Sequence, residues 1–261
     1  MNNSKMSNSK ITNMENKIRL SGRLRLVASF VRENSRIADI GTDHGYVPIF
    51  LAGTGRICSA LAMDVREGPL MRAREHIREY EEDCRAGNLP LCPVKARLSD
   101  GLKELKSGEA DTVIIAGMGG ELEIRILEEG RHMWESVEHW ILSPQSDLDK
   151  VRRFLAENGF LIEKEAMIRE DGKFYTVMDV ARGTMEYKSQ SHYLYGRLLI
   201  ENHDPVLAEY LEREKKRVEG ILAGLEMASG ETGERTGAQQ RAVEERTREL
   251  EWIREAQNEM Q

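Results

Sequence analysis

The stretch IADIGTDHGYVP, Ile37–Pro48, decides the fold. Its first residues are apolar, interrupted only by Asp39. Gly41 follows, and then the polar cluster Thr42, Asp43 and His44. An apolar run that turns polar this abruptly reads as a buried strand whose carboxyl end carries a ligand loop.

The pattern recurs outward from this point. Upstream, Ile18, Leu20, Leu24, Val27, Ala28 and Val31 fall at helical spacing and predict a helix over Ile18–Arg32. Downstream, PIFLAGTG reads as a short helix and ICSALAMDV as a strand. GPLMRAREHIREYEEDC reads as a helix with Pro69 in its first turn and Leu70, Ala73, Ile77 and Tyr80 as its inward stripe. Strands are predicted in LCPVKARLSDGL, ADTVIIAGMGG and EHWILSPQ, and helices in ELEIRILEEGRHM and DLDKVRRFLAENGF. The unbroken run TVIIA suits a parallel strand buried on both faces. LIEKEAMIREDGKFYTVMDVA predicts two strands joined at Asp171-Gly172, a hairpin-type turn. Alternating strands and helices predict an α/β fold, a doubly wound sheet finished by an antiparallel hairpin.

After Gly183 the composition shifts to charged residues, Ala and Leu. Val206, Leu207, Tyr210, Leu211, Val218, Ile221, Leu222 and Leu225 mark one helical seam. ASGETGERTG breaks it, and Val243, Leu250, Ile253 and Ala256 mark a second. Two long helices joined by a polar turn predict a C-terminal antiparallel coiled-coil hairpin. The expected organisation is a disordered leader over 1–16, an α/β domain over 17–183 and a coiled-coil domain over 184–261.

Composition narrows the function classes. Charged residues make up 32% of the chain and mean hydropathy is −0.54. No run approaches the ~18 apolar residues of a membrane helix, and the Asn/Ser/Lys-rich start lacks the apolar core of a secretory signal. Cys58, Cys84 and Cys92 form no CxxC pair, which fits reduced cytoplasmic thiols. The histidines show no HxxxH or HExxH spacing, so no metal site is expected. Net charge is −7 but uneven: residues 1–50 hold eight Lys/Arg against four acids, and residues 101–150 five against eleven. A local basic face can bind phosphate on an acidic protein.

Polar or glycine-rich clusters follow five predicted strands: Asp39–Tyr46, Asp64, Ser99–Gly101, Ala116–Gly120 and Ser143–Gln145. Ligands of doubly wound sheets bind at those ends. The first loop has two acids, no lysine and no full GxGxxG spacing, which argues against a diphosphate; no GxxxxGKS/T loop occurs. Acids suit a cationic ligand, and S-adenosylmethionine carries both an ammonium and a sulfonium. Asp64 is placed to accept two ribose hydroxyls, and Asp100 to meet an adenine amino group. The alternatives are a dipole-favoured acid at a helix start for Asp64 and a turn role for Asp100. His44 reads equally as a ligand contact or a turn imidazole. Tyr46 and Met118 read as adenine-ring contacts or core.

DIGTDHGYVP, MDVREGP, DGL, IAGMGG and EDGKFY stand in the order found in the TrmK family, and the chain resembles that family from about Leu20 to Val180. These are bacterial class I methyltransferases acting on tRNA. The resemblance implies a Rossmann-like domain with a C-terminal coiled coil, and methyl transfer from S-adenosylmethionine to N1 of adenine 22. By position, Asp39, Gly41, Asp43 and His44 resemble the first cofactor motif, Asp64 and Val65 the ribose site, and Asp100 and Gly101 the adenine side. Ala116, Gly117, Met118 and Gly119 resemble the floor between cofactor and target base. Many class I enzymes have a glycine where Asp43 stands; the TrmK pattern has the acid.

N1 of adenine has a lone pair and can attack a sulfonium methyl in line, so orientation carries much of the catalysis. A carboxylate could stabilise the cationic product or take an amino proton, and Asp43 and Asp171 are the candidates. N1 lies on the Watson–Crick edge, so the target must be unpaired or extruded. Arg19, Arg23, Arg25 and Arg32 on the first helix, Arg152 and Arg153 on a later one, and Gln145 at a base edge are the expected RNA contacts. The expected enzyme is monomeric. The rivals are a methyltransferase for a non-RNA substrate and a non-catalytic scaffold binding partners through the coiled coil.

Overall fold

The computed structural model describes residues 19–228 and 236–261. The expected leader, Ile18 and most of the break ASGETGERTG lie outside the described residues. Contacts divide the chain into two compact units. One comprises the described residues up to Lys164 with Tyr175–Met185, and the other Glu165–Phe174 with Glu186–Gln261.

In chain order the first unit holds α1 (Gly22–Phe30), β1 (Ser35–Ile40), α2 (Tyr46–Gly53), β2 (Ile57–Asp64), α3 (Glu67–Gly87), β3 (Val94–Leu98), β4 (Thr112–Ala116), α4 (Gly120–Glu129), β5 (His139–Ser143) and α5 (Leu148–Glu157). The hairpin β6 (Phe160–Glu170) and β7 (Lys173–Arg182) completes a seven-stranded sheet of order β3-β2-β1-β4-β5-β7-β6. β1 to β5 pair in parallel and β7 pairs antiparallel to β5. Val113, Ile114 and Ile115 of β4 and Trp140, Ile141 and Leu142 of β5 are wholly buried, as strands covered on both faces require. Strand order reverses between β1 and β4, so the loops after these strands splay apart and leave a crevice.

Most helices fall where periodicity puts them. α3 buries Leu70, Ala73, Ile77 and Tyr80, the expected stripe, and adds Cys84. α1 is shorter than the expected Ile18–Arg32. Ser21 caps it by accepting the Leu24 N–H at 3.3 Å, and Val31 is already extended. Leu20 is buried ahead of the helix, and Arg19 and Arg32 fall outside it.

The second unit contains α6 (Gln190–Tyr195), α7 (Arg197–Glu201), α8 (Pro205–Ala228) and α9 (Gly237–Glu259). Leu207, Leu211 and Val218 of α8 pack with Leu250, Ile253 and Ala256 of α9. Cross-contacts join His203 to Met260, Glu212 to Gln257 and Arg217 to Glu249, so the two helices run antiparallel. The seam is narrower than expected, because Ile221 is exposed. Thr236 and Gln239 form a capping box that starts α9.

Candidate cofactor and methyl-transfer site

A cavity of about 580 Å³ opens at the carboxyl ends of the parallel strands, within the usual size range of small-molecule sites. Gly41, Asp43, Asp64, Val65, Asp100, Gly101, Ala116, Gly117 and Met118 line it, together with Arg23 and Gln145. These residues come from loops distant in sequence, and the sheet brings them together.

The loop after β1 is pinned from below: Gly41 and Thr42 both donate their N–H to the Met63 carbonyl, at 2.7 and 2.9 Å. Gly41 sits at φ +73°, and a Cβ there would lie 1.9 Å from Met118 Cε. Glycine suits the left-handed backbone here, and its missing Cβ leaves the space that the tip of the Met118 side chain occupies. Asp64 ends β2 almost wholly buried, and its Oδ1 accepts the Arg66 N–H at 2.7 Å. Among the described residues the polar contacts of Asp64 fall on Oδ1, which leaves Oδ2 to face a ligand hydroxyl. Asp100 is exposed, and its hydrogen bond with Lys103 holds the carboxyl below its usual range. Gly101 lies at φ +59°, facing Ile126.

The floor is built by β4 and β5. Gly117, at φ +86°, donates to the Ser143 carbonyl at 3.1 Å, and Gln145 donates its N–H to the Met118 carbonyl at 2.8 Å. Arg23 Nη1 and Gln145 Nε2 both close on Gly117, standing 3.1 and 3.7 Å from where a Cβ would be. The Arg23 guanidinium lies 5.3 Å from the centre of the Tyr175 ring. The sequence alone gives Tyr175 no role, because nothing in it pairs this residue with one so far upstream.

Not every expected residue reaches the cavity wall. Asp39 is buried beneath the loop rather than lining the space. Burial lifts its carboxyl to about 6, with Thr42 opposing and the Asp43 and Asp64 carboxylates adding to the rise. His44 is not a lining residue; its Nε2 stands 3.3 Å from Asp43 Oδ1 and its ring stacks on Tyr46 and His76. Gly119 is exposed and is the extended cap residue before α4. Asp171 belongs to the other unit, at the hairpin turn with φ +49°.

The arginines separate likewise. Arg19 and Arg25 are exposed, Arg25 Nε donating to the Leu20 carbonyl at 3.1 Å. Arg153 is half-buried. Arg152 is wholly buried on the inward face of α5, which corrects its expected place as a surface phosphate contact. Arg32 is also engaged elsewhere, 2.7 Å from Glu163 and 3.6 Å from Asp179. Conversely, Arg66, Arg125, Pro69 and Leu122 line the cavity, though the sequence alone assigns none of them a site role.

The donor set suits a nucleoside carrying positive charge. A carboxylate stands at the end of β2, where ribose hydroxyls bind in such sheets, and the acids Asp43 and Asp100 flank it. An apolar side wall of Val65, Leu122 and Ile126 can pack against a base.

A family described as a methyltransferase domain matches residues 20–178. The tRNA (adenine(22)-N(1))-methyltransferase of Bacillus subtilis strain 168 is 32% identical over 168 residues, 64% of this chain and 67% of that protein. The crystal structure of the B. subtilis M1A22 tRNA methyltransferase TrmK superposes with a TM-score of 0.77 at 26% identity, covering 92% of this chain and 99% of that one. Streptococcus pneumoniae Sp1610, solved in complex with S-adenosyl-L-methionine, gives a TM-score of 0.76 at 32% identity, covering 91% and 99%.

Proposed function

This chain belongs to the TrmK family of tRNA (adenine(22)-N(1))-methyltransferases, and on that premise we propose how its own residues divide the reaction. It transfers a methyl group from S-adenosylmethionine to N1 of adenine 22 in tRNA. The observation that carries this is the cavity at the strand-order reversal, which gathers Asp64, Asp100 and Gly117 from the ends of separate strands in a chain of this family.

Asp64 and Val65 hold the ribose edge, Asp100 and Gly101 the adenine side. Gly41 and Asp43 border the amino-acid end, with Asp39 beneath and His44 bracing Asp43. Ala116, Gly117, Met118 and Gly119 form the floor on which the two reactants meet. When bound, S-adenosylmethionine supplies an electrophilic methyl: the adenine N1 lone pair forms the new N–C bond as the C–S bond breaks and its electrons stay on sulfur. The protein's task is to hold N1 in line and to exclude water. Methylation leaves a positive charge on the adenine. Asp43 on the cavity wall and Asp171 at the hairpin turn are assigned to that charge or to an amino proton. Gln145 reads a base edge. Arg19, Arg23, Arg25 and Arg153 supply phosphate contacts.

The helices α8 and α9 are assigned to a C-terminal coiled-coil domain over 184–261 that adds a grip on the tRNA body, after an α/β domain over 17–183. No described helix is long and apolar enough to cross a membrane. A monomeric cytoplasmic enzyme without a metal is the working assignment.

The test is methyl transfer from labelled S-adenosylmethionine to unmodified tRNA transcripts, with the product nucleoside identified by mass. N1-methyladenosine should form with wild type, and Asp64→Ala should lose activity through a cofactor Kd raised about 10- to 100-fold, a loss of roughly 1.4–2.8 kcal/mol. Cofactor binding without any methylated tRNA would move the substrate elsewhere.

A further inference from the structure

We propose that His44, Tyr46 and His76, with Arg72 beside them, form a nucleobase-stacking platform outside the methyl-transfer cavity. Its occupant is an unpaired base next to the target adenine in the bound tRNA. This rests on the function proposed above and deepens it.

The three rings lie with centroids 5.2, 5.6 and 5.1 Å apart and planes 1°, 21° and 21° from parallel. Three near-equal separations exclude a column, in which the outer pair would be about twice as far apart as neighbours. The rings instead make a compact triangular cluster of nearly parallel, mutually offset planes. Tyr46 is 36% exposed, and His44 and His76 are half-buried. A cluster serving only as core would be covered.

The patch is held in shape by the backbone. His44 at φ +60° and Gly45 at φ +72° are consecutive left-handed residues. A non-glycine residue in that region is strained, a strain found where a side chain must be aimed. His76 Nδ1 donates to the His44 carbonyl at 2.9 Å and fixes the third ring to the same turn. Gly45 packs against α3, where a Cβ would lie 3.4 Å from Ala73 Cβ.

Two features tie the patch to the cavity and to RNA. Asp43 lines the cavity and contacts His44, so the two sites share one turn. On α3, Pro69, Arg72 and His76 stand three and four residues apart, a single helical stripe that begins at the cavity wall. Arg72 is exposed and makes no ion pair among the described residues, whereas Arg74 on the same helix pairs with Glu67. An aromatic face with a free guanidinium matches a nucleotide: the base stacks and the phosphate meets the cation. The chemistry demands such a place. Drawing adenine N1 off its partner unstacks the neighbouring base, which then needs a substitute surface.

The experiment uses the full chain with Tyr46→Ala, Tyr46→Phe and His76→Ala. The Kd for unmodified tRNA is read by fluorescence anisotropy at fixed salt, and the Kd for S-adenosylmethionine by calorimetry. Both alanine variants should bind tRNA about 10-fold more weakly. Tyr46→Phe should stay close to wild type, and cofactor affinity should be unchanged in all three. The platform is overturned if the alanine variants bind tRNA like wild type, if Tyr46→Phe loses as much as Tyr46→Ala, or if cofactor affinity falls in parallel. Failure of wild type itself to form N1-methyladenosine would overturn the tRNA function and this proposal with it.

Discussion

Asp39 is a buried carboxyl lifted to about 6, chiefly by desolvation. A raised acid favours the neutral form in the fold. Its contribution to stability is full below the ordinary value of 3.8 and is lost as pH rises through about 6. A cationic ligand reverses the preference, because it gains most from the ionised acid. S-adenosylmethionine should therefore bind about tenfold more tightly at pH 7 than at pH 5, with protons released on binding. Asp39→Asn should flatten that profile, and calorimetry in buffers of different ionisation enthalpy reads both effects. Glu123 on α4 is a second buried acid. It is wholly covered, neither oxygen has a hydrogen-bond partner among the described residues, and desolvation holds its carboxyl well above the ordinary range. Stability should thus fall as pH climbs from about 4.5 toward that raised value. Glu123→Leu should remove this slope and stabilise the protein by about 1–3 kcal/mol at pH 8, measured by urea unfolding; an unchanged pH slope would show that another group causes it. ELEIRILEE gave no hint of this, and neither did Arg152, since Glu and Arg are almost never fully buried.

Elements were legible where local physics sets them. The strand ends Asp39–Gly41, Asp64, Ser99–Gly101 and Ala116–Gly120 could be located because hydrophobic runs stop there, and the sheet then had to bring those ends together. What depended on distant partners was not legible. His139, Glu163 and Asp179 lie on β5, β6 and β7 with ligand atoms within 4.8 Å of one another, a cluster no histidine spacing foretells. Arg32 offsets its negative charge. Gly120 is a similar case: in AGMGG it reads only as the end of the glycine-rich cluster Ala116–Gly120 that follows β4. The structure gives it a packing role, because a Cβ there would lie 2.5 Å from the Ser146 carbonyl oxygen and 2.9 Å from Val151 Cγ2. Backbone cannot step aside as a side-chain tip can. Gly120→Ala should force α4 away from the loop before α5 and cost about 1–3 kcal/mol, seen as a fall of several degrees in Tm. Gly119→Ala, which would meet only Ser146 Oγ at 3.2 Å, should cost much less. Equal losses at the two positions would show that the crowding at Gly120 is not what matters.

At the scale of the molecule, a chain with net charge −7 is asked to bind a polyanion. Uniform charge would repel tRNA, so affinity must come from local cations outweighing the mean field, and that competition has a signature. Each phosphate neutralised releases condensed counterions, so log affinity falls linearly with log salt, by about 0.7–0.9 per contact. S-adenosylmethionine, bound in a cavity of mixed charge, should show almost no such slope. Arg19 and Arg25 separate contact from general field, because both are exposed and neither lines the cavity. Arg19→Gln and Arg25→Gln should each reduce the salt slope of tRNA binding by about 0.7–0.9, weaken binding alike for different tRNA sequences, and leave cofactor affinity unchanged. Binding titrations from low to high salt measure all three. A weaker affinity with an unaltered slope would mean that these arginines act through the fold of the α1 region. An unaltered affinity would move the phosphate grip to other cations, with Arg153 and Arg72 next to be tested.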